Sequence, residues 1–554
     1  MAGKWWQQAV IYQIYPKSFQ DSNHDGIGDI QGIIQRLEHI ADLGINTIWL
    51  NPIYTSPQVD NGYDVSDYTA IDPVFGTMTD VEQLIQAAHD RGIRVIFDFV
   101  LNHTSNQHIW FQKALEEPAS DYHDYYVWQE TPGGGKPNNW GSFFGGSVWE
   151  YVPSLGKSYF HLFAKEMPDL NWQNPQVREE MFQIAAFWAG KGVDGFRLDA
   201  FIHIAKADFS KQMSGEETYP IAEPYYANLP AVKVYLSEWI GRLKAHFPEL
   251  FFLGEAASAD ATLAEEYCDP EADLCDAVIS FRYFPEKEPT IRADLPKQFL
   301  PKSLDWQAFK KTMAQWQQAD IYPVLYWNNH DLPRAISRFG DTGKWRERSQ
   351  MMLAGLMYLQ RGLPLLYYGE EIAMQQLVML EITAFQEEAA RDFLREGQEK
   401  GYDEQQLLEW ASLTSKDASR GAMQWENTDY AGFSETAPWS GVNQEPDFTA
   451  ASQQNRVTAF YRQLLKLKQT ELFIAGNWEM IDTGELPLFG YRRKTKRQDA
   501  IVLANHSAET IEYSASLAEA SILLANTADF QIKRDHIIVP PFGMIVFKTK
   551  GVEK

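Results

Sequence analysis

Cysteine is scarce: the chain has two among 554 residues. Two thiols, Cys268 and Cys275, cannot build a disulfide framework, so a reducing compartment is the expected setting. Cations are also short. Lys and Arg number 49 against 75 Asp and Glu, a net charge of −26. That excess argues against nucleic acid and anionic membranes as partners. No run approaches the roughly 18 uninterrupted apolar residues of a membrane helix. The start, Met1 to Gln8, lacks the apolar core of a signal peptide. The expectation is a soluble, cytoplasmic protein, monomer or homodimer. Aromatics, by contrast, are plentiful at 32 Phe, 18 Trp and 26 Tyr. With an acidic surface they suggest a neutral, flat-faced ligand, although a large core alone would also use them.

Apolar, β-branched runs alternate with longer amphipathic stretches. The strand-like runs are 9–15, 46–50, 95–100, 193–198, 250–253, 277–281, 321–326 and 364–367. Helical periodicity marks 30–43, 79–89, 175–189, 231–246, 306–317, 344–359 and 455–468. Thr79 to Glu82 reads as a capping box, and Asn174-Pro175 as an N-cap with proline at the first helical position. Eight strands with intervening helices predict an α/β fold, a (β/α)8 TIM barrel, with a doubly wound open sheet as the alternative. The expected layout is a first barrel part (1–103), a B domain inserted after the third strand (104–173) and a second barrel part (174–471). The second part carries a long loop, 374–443, after the eighth strand. Short strands from about 472 predict a C-terminal antiparallel β domain (472–554).

Charged groups collect where these runs finish. Asp98, Asn102 and His103 end and follow the third, Arg197 and Asp199 end the fourth, Glu255 ends the fifth, and Asn329, His330 and Asp331 follow the seventh. The C-terminal rim of such a barrel is where active sites form, so these residues should converge. Glycoside cleavage needs one carboxyl to protonate the leaving oxygen and another to attack the anomeric carbon. Asp199 and Glu255 sit on neighbouring strands, about 4.8 Å apart, near the roughly 5–5.5 Å of a retaining pair. Arg197, two residues before Asp199, shares its strand face and would keep it ionised.

The segments Asp-Phe-Val-Leu-Asn-His (98–103), Gly-Phe-Arg-Leu-Asp (195–199), Gly-Glu (254–255) and Asn-Asn-His-Asp (328–331) resemble glycoside hydrolase family 13, the α-amylase family. Met-Pro-Asp-Leu-Asn (167–171) and 362–371 match as well. The resemblance implies a catalytic barrel, a B domain and a C-terminal β-sandwich. It implies Asp199 as nucleophile, Glu255 as acid/base and Asp331 as transition-state stabiliser. His103, Arg197 and His330 would surround the glucosyl ring. Phe144 and Phe163 lie beside the motifs and are candidate pocket walls, as is Trp327.

Asp-Asn-Gly-Tyr-Asp (60–64) and Ala-Ser-Arg-Gly-Ala-Met-Gln-Trp (418–425) resemble the oligo-1,6-glucosidase and α-glucosidase branch. By that resemblance Asp60 and Arg420 clamp the terminal glucose, Tyr63 stacks beneath it, and action is exo. Ala200, following the nucleophile, leans toward α-1,4 bonds, where a valine would lean toward α-1,6. The implied activity is a retaining exo-α-glucosidase acting on short neutral oligosaccharides, with α-1,6-acting, sucrose-isomerising, transglucosylating or trehalose-6-phosphate-hydrolysing relatives as alternatives. The last would need cations, for which Lys297 and Lys302 are candidates. A non-catalytic relative is disfavoured by the complete set of carboxylates. Met167 departs from the glutamine usual in this branch.

Asp21 to Asp29 places oxygen donors at alternate positions around a glycine turn, as a calcium loop does. Similar loops in this branch bind a divalent ion, which implies a structural calcium held by Asp21, Asn23, Asp25, Asp29 and the Ile27 carbonyl. An ordinary Asp/Asn turn is the alternative. No organic cofactor is expected.

Overall fold

The computed structural model describes residues 4–549 except 216, 290, 292–293, 444–450, 452–454 and 515–520. Eight strands form one parallel sheet, a nearly closed barrel: β1 (Ile11–Ile14), β2 (Thr47–Leu50), β3 (Arg94–Val100), β4 (Gly195–Asp199), β5 (Phe251–Glu255), β6 (Ala277–Ile279), β7 (Val324–Leu325) and β8 (Leu363–Tyr367). Their order is β6-β5-β4-β3-β2-β1-β8-β7, which is cyclic in the chain and therefore a barrel rather than a doubly wound sheet. Almost every strand residue is buried, as expected of parallel strands covered on both sides.

The expected strand 321–326 shortens to two residues because Pro323 has no N–H to give a ladder. The second barrel helix begins at Met78, with Thr77 as N-cap. The capping box is Thr77 with Asp80, two residues upstream of the expected one: the Asp80 carboxylate accepts from the Thr77 amide at 2.7 Å. Asn174 caps its helix as expected, with Pro175 at the first position.

The chain divides into two compact units, 49–90 with 94–281, and 4–48 with 91–93 and 282–549. In the first, parallel register aligns Asp98 with Arg197 and Val100 with Asp199, while Leu253 pairs Arg197. Between β3 and β4 the same unit has a three-stranded antiparallel sheet, Trp128–Glu130, Lys157–Phe160 and Trp149–Val152. In the second unit the segment 374–443 carries two helices. Helices Glu388–Glu399 and Glu404–Thr414 bury Phe393, Leu394, Leu407 and Ala411 in a core of their own.

The C-terminal part of this second unit has a five-stranded and a three-stranded antiparallel sheet. Leu488, Leu503 and Phe547 from one pack with Ile511, Ile537 and Val539 from the other, which makes a sandwich. Asn477–Ile481 and Gln531–Ile532 are half-exposed or exposed throughout, so they carry little hydrophobic alternation. The sandwich packs on helix Arg346–Tyr358, where Tyr491 donates to the Leu356 carbonyl at 3.0 Å.

Candidate active site

In the unit built on 49–281, Arg197 is the hub. It lies midway along β4, fully buried, and its guanidinium holds three carboxylates. Nη1 donates to Asp98 Oδ1 at 2.8 Å and to Asp199 Oδ1 at 2.5 Å, and Nη2 donates to Glu255. Strand register explains the arrangement. Arg197 and Asp199 share a face of β4, Asp98 is level with Arg197 on β3, and Glu255 ends β5 two residues beyond the Leu253 that pairs Arg197. A planar fork presents its N–H donors from two separate nitrogens, which lets one guanidinium reach carboxylates on three strands.

Asp98 has further donors. The Tyr63 hydroxyl gives its proton to Oδ2 at 2.8 Å, and Trp49 Nε1 donates at 3.2 Å. Burial outweighs these contacts and pushes the Asp98 pKa up to about 7. Tyr63 in turn accepts from Asn51 Nδ2 at 2.8 Å, and its ring lies 5.9 Å from the Arg197 guanidinium. Asp60 is half-buried in a turn organised by Asp64, whose carboxylate accepts from the Val59 and Asp60 amides. His103, buried, packs its ring 5.1 Å from Phe163, and Phe144 meets Phe163 edge-on at 5.7 Å.

In the other unit, Asp331, His330 and Arg420 form a second cluster. Arg420 Nη2 donates to Asp331 Oδ1 at 3.2 Å, and Nε donates to the His330 carbonyl at 2.9 Å. His330 Nε2 lies 3.1 Å from Asp331 Oδ2, and Nδ1 bonds Gln13 Nε2 at 2.7 Å. Arg420 is 2% exposed, which rules out a surface ion pair, and lies 5.2 Å from the Tyr15 ring.

The family model described as "Alpha amylase, catalytic domain" matches residues 13–476. The chain belongs to the α-amylase family of glycoside hydrolases. Among curated relatives of this family member, an oligo-1,6-glucosidase of Halalkalibacterium halodurans is 36% identical over 543 residues, covering 95% of each chain. A trehalose-6-phosphate hydrolase of Escherichia coli is 39% identical over 523 residues, covering 92% of each. The solved structure of a "Family GH13_31 enzyme" is 43% identical with a TM-score of 0.91, over 99% of this chain and 100% of that one.

Other expected residues of this α-amylase-family chain fall differently. Trp327 is a core residue, with no exposed surface, stacked on Phe309 at 5.2 Å and donating to the Leu353 carbonyl. Lys297 pairs with Glu288 at 2.7 Å on the exposed surface, and Lys302 lies 3.6 Å from Glu286, which Arg338 also holds at 2.6 Å. Ala200 follows the Asp199 strand end in left-handed backbone, φ 48°. No described helix is long and apolar enough to cross a membrane.

The 21–29 loop uses its oxygens on its own amides. Asp21 accepts from Asn23, His24 and Gly26, Asn23 from Asp25, Asp25 from Ile27, and Asp29 from Ser22 and Gly32. Among the described residues no group of three or more His, Cys, Asp or Glu is placed to hold a metal. The loop has the backbone hydrogen bonds of an Asx turn and is anchored by the Ser434 hydroxyl donating to Asp21 at 2.6 Å.

Two groups escaped sequence reasoning. Gln13, buried in β1, is the partner of His330, and a lone polar residue inside an apolar run was the available signal. Lys206, seven residues after the nucleophile candidate, is 95% buried by side chain and carried no motif.

Proposed function

We propose that the protein is a retaining exo-α-glucosidase that removes terminal, non-reducing α-linked glucose from short neutral oligosaccharides, with α-1,4 bonds preferred. The observation that carries the reading is the single guanidinium of Arg197 holding both Asp199 and Glu255. Two carboxylates on one fork stay within the short separation, about 5–5.5 Å, of a retaining pair. In the first step an Asp199 oxygen attacks the anomeric carbon while Glu255 gives its proton to the departing glycosidic oxygen. The aglycone leaves and a glucosyl–Asp199 ester remains. In the second step Glu255, now a carboxylate, takes a proton from water. The hydroxide oxygen attacks the same carbon, releasing glucose with retained configuration and restoring both groups.

Asp331, His330 and Arg420 supply the remaining parts. Asp331 stabilises the oxocarbenium charge, and Arg420 with Asp60 holds the terminal hydroxyls, which closes the site to longer non-reducing ends and makes action exo. His103 and His330 bond ring hydroxyls, and Tyr63, Phe144 and Phe163 give apolar faces.

The α-1,4 preference rests on Ala200. Its left-handed backbone is accessible to alanine at lower cost than to a β-branched residue, and the small side chain leaves room beside the leaving group. The second reading is α-1,6 cleavage, favoured because relatives covering nearly the whole chain are named oligo-1,6-glucosidases and glucan 1,6-alpha-glucosidase.

The 21–29 loop is a structural calcium site in this proposal. Its donors are all hard oxygens, which suits that ion, and Asp21 would exchange amide contacts for it. The ion has no part in the reaction.

The test is product analysis on maltose, maltotriose, isomaltose, sucrose, trehalose 6-phosphate and starch. Glucose from maltose and maltotriose is expected. Glucose from isomaltose but not maltose overturns the linkage, and rapid internal cleavage of starch overturns exo action. Asp199→Asn should abolish turnover with the fold intact, and retained activity overturns the mechanism.

A further inference from the structure

Lys206 lies outside both carboxylate clusters, yet it is one of the most deeply buried cations of its unit, with a side chain only 5% exposed. An ammonium has three N–H donors. It pairs with the Asp169 carboxylate, Oδ2 lying 2.7 Å away, and donates to Asn102 Oδ1 at 2.9 Å and to the His203 carbonyl. These acceptors come from the motif 167–171, from the turn after β3 and from the turn after β4. One charge therefore ties together three segments that follow or precede the site.

The tie to Asn102 has a chemical consequence. The backbone of this residue is fixed, since its carbonyl accepts from the Leu170 amide at 2.8 Å. Only the carboxamide can rotate, and its two ends differ: the oxygen accepts and the nitrogen donates. An ammonium on one side admits only the oxygen there. The amide nitrogen must then face the other way, and it lies 3.3 Å from His103 Nδ1. Burial pushes the His103 pKa down, which keeps the ring neutral with a single N–H. If Nδ1 accepts from Asn102, that proton sits on Nε2. His103 Nε2 is buried and has no hydrogen-bond partner among the described residues.

We propose that Lys206 is a positioning residue: through the Asn102 carboxamide it fixes His103 as the Nε2–H tautomer, a donor reserved for a hydroxyl oxygen of the terminal glucosyl ring. The inference rests on the reading of the site as a glucosyl pocket. It assigns a specificity role, because a site with a fixed donor favours a sugar that presents an acceptor oxygen at that point over one that lacks it.

The experiment uses the full chain with ¹⁵N-labelled histidine, the His103 signals being assigned by loss in His103→Gln. Wild-type enzyme should show a protonated Nε2 and an unprotonated, accepting Nδ1. Asn102→Asp keeps an oxygen for Lys206 but presents no donor to His103, so the proton should move to Nδ1. Lys206→Met should give a mixture of tautomers. Because that change strands the Asp169 charge, Lys206→Met with Asp169→Asn is made alongside it to keep the site neutral. In Asn102→Asp and in the double variant, kcat/KM for a chromogenic α-glucoside should fall about tenfold to a hundredfold, through KM as well as kcat. A role confined to folding would lower the melting temperature and leave tautomer and KM alone. Nδ1–H in the wild type overturns the inference, as does wild-type tautomer with kcat/KM within twofold in the folded variants. A wild type that hydrolyses no α-glucoside overturns the glucosyl-pocket reading, and this inference with it.

Discussion

Replacing Asp98 with Asn should stabilise the protein above neutral pH, although it removes a buried carboxylate from an arginine. Asp98 is 1% exposed, and burial, opposed chiefly by Arg197, raises its pKa from 3.8 to about 7. The folded state therefore holds a proton that the unfolded chain has lost between about pH 4 and 7. Native protein binds more protons in that window, so its stability falls as pH rises, by about 1.36 kcal/mol per unit. Over about three units the loss is about 4 kcal/mol, of which about 2–3 kcal/mol falls between pH 5 and 8. Asn imitates the protonated acid and does not titrate. At pH 5 the variant should match the wild type, and at pH 8 it should be more stable by about 2–3 kcal/mol. Arg197 loses no indispensable partner, because Asp199 and Glu255 remain on its two nitrogens. The assay is urea unfolding of both proteins at pH 5 and pH 8. Parallel pH slopes, or a variant less stable at pH 8, would refute the reasoning. They would mean that Asp98 is a carboxylate throughout and that its charge on Arg197 outweighs desolvation.

Gly254→Ala should cripple the site from behind. An added Cβ would lie 2.6 Å from Phe201 Cε1 and 2.7 Å from Cys275 Sγ, both buried, and the strain falls on Glu255. A drop of at least tenfold in kcat with about 1–3 kcal/mol of stability is expected, and kcat near wild type would sink the idea. Ala200→Val should raise the isomaltose-to-maltose ratio of kcat/KM by about tenfold or more, while left-handed strain costs about 1–3 kcal/mol in unfolding measurements. An unchanged ratio would remove Ala200 as a linkage determinant. Calcium at a hundredfold excess over its Kd should stabilise chelator-treated protein by about 2.7 kcal/mol, read as a higher melting temperature. Identical melting with calcium and with chelator would leave 21–29 as a plain turn.

What the sequence determined by itself is what local periodicity and local chemistry encode. Buried parallel strands are apolar on both faces, so Asp98, Arg197, Asp199 and Glu255 stood out as charges at the ends of apolar runs. Their spacing of two along β4 put Arg197 and Asp199 on one face before any strand was paired. Boundaries followed less well where one residue decides them. Pro323 cut β7 short, and Thr77 rather than Thr79 began a helix because Asp80 could reach back to it. Exposed strands of the sandwich left little pattern to read.

Only the tertiary structure decided which groups share a partner. Lys206 lies 37 residues from Asp169 and 104 from Asn102, and Gln13 lies 317 from His330. No sequence period spans such distances. A buried polar group is specified by the acceptors the fold brings to it, since each one left unmade costs about 1–3 kcal/mol. The same physics separates the lone charges on strand ends, visible in the chain, from the network that orients them, visible only once the chain has folded.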